Sequence, residues 1–248
     1  MTAALLLLPF VFGGASGAKV DVAFRGVPQD VYYISSKANQ RRSVRILFIP
    51  GDGGWRGAAV SMAQTIAGWG YDVYGLDTKK YLTGFTNGDS RLSVDDIASD
   101  MAQLARQLGG GQPRVVIVGW SQGASMAVLA AARPESCRYL KGIVTLGLPE
   151  YGVLGWTWRD TLAVAARREP NQPKFYAKDF LPHTAVPMFA IFGTNDDYTA
   201  PAAEQAMLGM TRGPKQLHMI EGANHRFDGH QDELNRTLAE ALSWVQRD

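Results

Sequence analysis

The sequence predicts an α/β domain: a mainly parallel central sheet with helices on both faces and one inserted segment. Three observations lead there. Short apolar, β-branched runs alternate with helical patterns along most of the chain, as strands buried on both faces require. Residues 114–118 run through Gly119-Trp120-Ser121-Gln122-Gly123 straight into the helix formers of 124–132. Residues 150–187 then break the alternation with a long excursion that is rich in aromatic and basic side chains.

Taken in order, residues 20–24 and 31–35 are short strands, expected to pair antiparallel at the start of the sheet. Residues 44–49 form a strand that is apolar except for Arg45. A helix over 57–69 follows, ended by Gly68 and Gly70, and 71–76 is the next strand. Ser93 is a candidate N-cap, with Asp95 and Asp96 in the first turn, where the helix dipole favours anions. Val94, Ile97, Met101, Leu104 and Leu108 recur at helical spacing, and Gly109-Gly110-Gly111 stops that helix. Strands are expected at 142–148, 188–192 and 216–220. Leu234, Leu238, Leu242 and Val245 mark the core face of a terminal helix. The 150–187 excursion interrupts the sheet where a cap or substrate wall would sit.

The chain has 248 residues, 46% hydrophobic and 19% charged. That supports one domain with a large core and argues against disorder. A net charge of +2 without basic runs gives no footprint for nucleic acid. The single cysteine, Cys137, excludes an intrachain disulfide and lacks the context of a nucleophile. No metal-ligand spacing, phosphate loop or dinucleotide fingerprint is present, so no cofactor is expected. Residues 3–12 are an apolar run holding four leucines, followed by Ser16-Gly17-Ala18 before Lys19. The run is too short to span a bilayer. It reads as a signal peptide over 1–18, although Met1-Thr2 supplies no basic residue; the other reading is an apolar strand. The domain proper would then be 19–248, periplasmic or secreted.

Strand, sharp turn and helix around Ser121 are the geometry of a nucleophile elbow. A serine hydroxyl needs a base, and the base needs an orienting acid. Of the four histidines, His225 falls in the loop after the 216–220 strand, where the base belongs. His218 lies inside that strand, His183 precedes a strand, and His230 starts the terminal helix. The acid should lie between serine and histidine, after the 188–192 strand; Asp196 is the first candidate and Asp197 the alternative. Gln122 and Asp52 are the expected amide donors to an oxyanion. Asp52 sits in Pro50-Gly51-Asp52-Gly53-Gly54-Trp55, after the 44–49 strand. Its carboxylate would oppose an oxyanion, so it either caps the next helix or meets a cationic group on the substrate. Gly53, Trp55, Trp120 and Trp156 are the candidate substrate contacts.

Three stretches together resemble the AcvB/VirJ family. They are Ile49 through the Gly51-Asp52-Gly53-Gly54-Trp55 loop, Tyr71-Asp72-Val73-Tyr74-Gly75-Leu76-Asp77 with Lys80-Tyr81-Leu82, and the elbow through Ala124. The likeness extends over roughly 44–248. It implies the α/β-hydrolase fold, export, and a serine, acid and histidine at Ser121, Asp196 or Asp197, and His225. It also implies cleavage of the aminoacyl ester of lysyl-phosphatidylglycerol, or an accessory role in virulence secretion. The readings to be separated are hydrolysis of that lipid ester with contact to a membrane surface, a general short-chain carboxylesterase, a peptidase, and a non-catalytic binding protein.

Overall fold

The computed structural model describes residues 17–38, 41–88, 91–112 and 114–247. β1 (Ala18–Phe24) and β2 (Val27–Ile34) pair antiparallel. Between them Arg25 and Gly26 take positive φ values of 49° and 80°, which suits a two-residue turn that follows the strand twist. The rest of the sheet comprises β3 (Arg45–Ile49), β4 (Asp72–Leu76), β5 (Val115–Trp120), β6 (Leu140–Leu146), β9 (Met188–Gly193) and β10 (Lys215–Ile220). The eight strands lie in the order β1-β2-β4-β3-β5-β6-β9-β10. β2 meets β4 antiparallel, and every pairing from β4 to β10 is parallel.

The helices are α1 (Ala58–Gly68), α2 (Thr78–Gly84), α3 (Val94–Gly109), α4 (Gln122–Ala131), α5 (Trp158–Ala165), α6 (Pro201–Gly209) and α7 (Gln231–Trp244). They divide between the two faces. Ile46 and Phe48 of β3 join a core with Met62 and Ile66 of α1 and Leu238 and Leu242 of α7. Leu47 and Ile49 point the other way, into a core with Met101 and Leu104 of α3 and Met126 and Leu129 of α4. This two-sided burial explains why β3 reads as continuously apolar after Arg45. Each fully buried side chain of this size contributes roughly 1.5–3 kcal/mol.

Local signals account for the helix ends. Ser93 Oγ accepts from Asp96 N at 3.1 Å while Ser93 N donates to Asp96 Oδ2 at 2.8 Å, and Gly110 ends α3 in the left-handed region. The strand expected at 142–148 is shifted: β6 ends at Leu146, and Gly147 turns out of it with φ 53°. α2 was not anticipated; Asp77 caps it by accepting from Lys80 N at 3.1 Å.

The 150–187 segment carries β7 (Tyr151–Val153) and β8 (Lys174–Tyr176), paired antiparallel, with α5 between them. Val153, Trp156 and Phe175 are buried in the α3/α4 core, so the segment is anchored rather than detached. Of the leader expected at 1–18, residues 1–16 lie outside the described residues. Ala18 is the first residue of β1 and is buried.

Candidate active site

Ser121 sits between β5 and α4 with φ 55° and ψ −120°, a conformation that costs a non-glycine residue energy. Its neighbours make the turn possible. A Cβ on Gly123 would stand 1.9 Å from Ile49 O, so only glycine lets α4 start this close to β3. Ser121 N donates to Leu146 O at 2.9 Å, tying the turn to β6.

His225 follows β10. Its Nε2 lies 2.9 Å from Ser121 Oγ, and its Nδ1 lies 2.8 Å from Asp196 Oδ2. The Asp196 side chain is 1% exposed and that of His225 is 10% exposed. The other oxygen, Asp196 Oδ1, accepts from the amides of Tyr198 at 2.8 Å and Thr199 at 3.3 Å. Asp196 is therefore buried, doubly held, and aimed at His225. Asp197 is exposed. The remaining histidines lie elsewhere: His218 is 3.8 Å from Glu233, His230 precedes α7, and His183 closes a short turn at Leu181–His183.

The loop carrying His225 is braced from several sides. Asn224 Oδ1 accepts from the amides of Arg226 at 3.0 Å and Asp228 at 3.1 Å. Phe227 is fully buried with φ 58°, so its packing offsets a strained backbone. Trp120 donates from Nε1 to His225 O at 3.3 Å and packs on Phe227. Trp120, expected to touch substrate, thus supports the histidine loop. Gly147 leaves room for the His225–Asp196 contact, because a Cβ there would stand 3.0 Å from His225 Nδ1 and 3.3 Å from Asp196 Oδ2.

The Gly51–Trp55 loop lies against the serine; a Cβ on Gly51 would be 3.2 Å from Ser121 Cβ. Burial raises the pKa of Asp52 above the ordinary carboxylate value. The Gly53 amide, the His225 and Lys79 charges and its own amide pull the other way. Gln122 is the first residue of α4, whose leading amides have no intrahelical acceptor. A methyl on Gly53 would meet nothing within 4 Å, so its surroundings are open. Trp55 and Trp156, expected to contact substrate, are both packed among neighbouring side chains. Trp55 is buried, stacks on Tyr32 at 5.7 Å and packs edge-on against Phe48. Trp156 is buried and donates from Nε1 to Thr161 Oγ1 at 3.0 Å.

Two residues, Tyr198 and Glu204, join the site without having been singled out, and Gln122, expected for its backbone amide, adds a side-chain role. The Tyr198 ring lies 4.4 Å from the His225 ring, yet Tyr198 is 61% exposed; it walls the histidine from the solvent side. The Gln122 side chain clasps β7, donating from Nε2 to Val153 O at 3.0 Å and accepting from Val153 N at 2.9 Å. Glu204 of α6 is fully buried, and neither carboxyl oxygen has a hydrogen-bond partner. Burial, reinforced by the Asp196 charge, pushes its pKa up to about 10, so it is a neutral acid at neutral pH. The one available signal was the Asp196-Asp197-Tyr198 adjacency; a clasping glutamine and a buried glutamate look like any helix residue.

The matching family model is the bacterial virulence protein VirJ, over residues 43–246. The chain belongs to the VirJ family. Among curated proteins no relative matches this VirJ-family chain. Several solved structures share its fold. Est1E from Butyrivibrio proteoclasticus superposes with a TM-score of 0.66 at 15% identity, covering 92% of this chain and 98% of that one. A dienelactone hydrolase from Anabaena variabilis gives 0.64 at 19% identity, covering 92% and 97%. An alpha-beta serine hydrolase homologue from Coxiella burnetii gives 0.65 at 14% identity, covering 90% and 95%. At these identities the likeness establishes the α/β-hydrolase fold.

Proposed function

We propose that this VirJ-family protein is an exported serine ester hydrolase acting on the aminoacyl ester of lysyl-phosphatidylglycerol. The observation that carries the reading is the continuous hydrogen-bonded chain Ser121 Oγ–His225 Nε2 at 2.9 Å and His225 Nδ1–Asp196 Oδ2 at 2.8 Å. The strained elbow and the free amides of the α4 N-terminus support it.

In this reading His225 Nε2 takes the proton as Ser121 Oγ attacks the ester carbonyl. Asp196 holds the imidazole in its tautomer and stabilises the imidazolium that forms. The Gln122 and Asp52 amides receive the charge that develops on the carbonyl oxygen. Collapse of the tetrahedral intermediate expels the alcohol, which takes the proton from His225, and leaves the acyl group on Ser121. Water, deprotonated by the same imidazole, attacks the acyl group, and collapse releases the acid as Ser121 Oγ takes the proton back from His225. No step calls for a cofactor.

The aminoacyl part of the proposal rests on Asp52, whose carboxyl group follows the Gly51 contact with Ser121 and is near enough to His225 to interact electrostatically with it. Asp52→Asn should lose about tenfold more kcat/KM on a lysyl ester than on a neutral ester, as expected for one hydrogen-bonded charge contact. Equal losses on both esters would remove the argument for a cationic acyl group.

The deciding experiment is lysine release from lysyl-phosphatidylglycerol vesicles, with Ser121→Ala as the blank and p-nitrophenyl butyrate hydrolysis alongside. Ser121-dependent lysine release supports the full proposal. Butyrate cleavage alone leaves a general carboxylesterase. Silence in both leaves a binding protein that keeps the fold as an accessory of an envelope or secretion complex.

A further inference from the structure

Five large hydrophobic side chains are strongly exposed among the described residues, and three of them belong to the 150–187 segment: Trp158, Leu162 and Tyr176. Trp158 and Leu162 are 68% and 60% exposed. They stand four residues apart on α5 and therefore share one face, one turn above the other. Isolated surface apolar groups are ordinary, but a tryptophan and a leucine presented together on a helix anchored only by its other side are not.

The exposed, unpaired charges on α5 and just beyond its C-terminal end are cationic. Arg159 stands over the Trp158 ring at 5.5 Å, and Arg167 and Arg168 follow the last turn of α5. Arg168 N donates to Ala163 O at 2.8 Å, which folds this pair of arginines back onto the helix end. All three arginines are exposed, and none is in an ion pair among the described residues. The nearby acids are occupied. Asp160 is buried and accepts from Thr157, Asn171 and Gln172. Glu169 is paired with Lys174. The Tyr176 ring repeats the arrangement on β8, with Lys178 at 5.5 Å; Asp179 is the exposed acid beside it.

An indole and a leucine backed by arginines is the chemistry of an interfacial anchor. The apolar groups enter the headgroup–acyl boundary while the cations meet lipid phosphates. Long arginine stems allow both at once. We propose that the exposed face of α5 docks the protein peripherally on an anionic lipid bilayer. No described helix is long and apolar enough to cross a membrane. The inference extends the lipid-ester reading by naming the surface through which the enzyme reaches a substrate held in a bilayer. Its test does not depend on catalysis.

The test is flotation of the purified protein with phosphatidylcholine vesicles, with and without phosphatidylglycerol. Wild type and Trp158→Ser/Leu162→Ser are compared, as are wild type and Arg159→Gln/Arg167→Gln/Arg168→Gln. Expected is binding to the phosphatidylglycerol vesicles that weakens as salt is raised and falls at least about tenfold in the apolar double variant. The arginine variant should lose most of the preference for anionic vesicles. Unchanged thermal unfolding shows that each variant is folded. Absence of flotation, equal binding to neutral vesicles, or full binding by the double variant would overturn the proposal. So would a concentration-dependent dimer in sedimentation that the double variant abolishes, since the face would then join two copies. Failure of the hydrolase reading would instead silence lysine release and leave flotation intact.

Discussion

Gly147 fixes how closely Asp196 and His225 can approach one another. A methyl there would press on both partners of the His225–Asp196 contact, and φ of 53° adds strain for any other residue. Gly147→Ala should fold yet lose roughly 10²-fold in kcat/KM, the scale of a misplaced catalytic group; an unaltered rate would show that the pair tolerates displacement. Glu204 makes a second prediction, about pH. Its folded pKa, about 10, lies above the ordinary glutamate value of 4.5. The stability it contributes is therefore complete below the unfolded value and is lost progressively as pH rises from there towards 10. Glu204→Met should raise the melting temperature at pH 8 by the equivalent of roughly 1–3 kcal/mol and much less at pH 5. An equal gain at both pH values would contradict this assignment. At this scale the sequence nominated Ser121, His225 and Asp196 because elbow pattern and chain order are local facts, and the structure brings those three together. The packing of Trp55 and Trp156 was not legible, because a tryptophan in a motif loop or an inserted segment reads alike whether it lines a pocket or the core. Tyr198 and the side-chain role of Gln122 depend on partners distant in sequence.

Among the elements, the inserted segment owes its order to one carboxylate. Asp160 accepts from Thr157 N at 2.8 Å, Thr157 Oγ1 at 2.6 Å, Asn171 N at 2.9 Å and Gln172 Nε2 at 2.6 Å. Burial opposes its ionisation, but these donors outweigh burial and hold its pKa below the ordinary value. Gln172 also accepts from Arg91, and Leu92 N donates to Leu154 O at 2.9 Å, so the segment is stitched to the strip before α3. Asp160→Ala should release α5 and its flanks, costing about 1–3 kcal/mol locally because buried donors lose their acceptor. Faster amide exchange at Leu154 and Asn171, with the central strands unchanged, would register it; uniform protection would refute it. Most core strands and the long helices were legible because apolar periodicity and caps are written in consecutive residues. β7 and β8 were not, since three-residue strands are too short to show a period. Thr157-x-x-Asp160 did carry a readable capping signal for α5.

For the whole molecule, the sheet order was beyond the sequence, because strand neighbours are set by pairing across long separations, as in β3 between β4 and β5. The N-terminal strand constrains processing. Cleavage after Ala18 would leave all of β1 except its first residue, so if the chain is exported and processed as proposed, mass spectrometry of the product should find a start at or before Lys19. A start beyond Val22 would remove most of the ladder with β2 and contradict the assignment of β1 to the mature fold. The double use of Gln122 bears on how such a protein could be re-engineered. The residue next to Ser121 holds the inserted segment by both polar atoms of its side-chain amide, so that segment is no interchangeable module. A chimera given the inserted segment of another α/β-hydrolase-fold protein would strand a buried glutamine beside the serine. It would have to change residue 122 along with the transplant, altering the residue whose backbone starts the elbow helix.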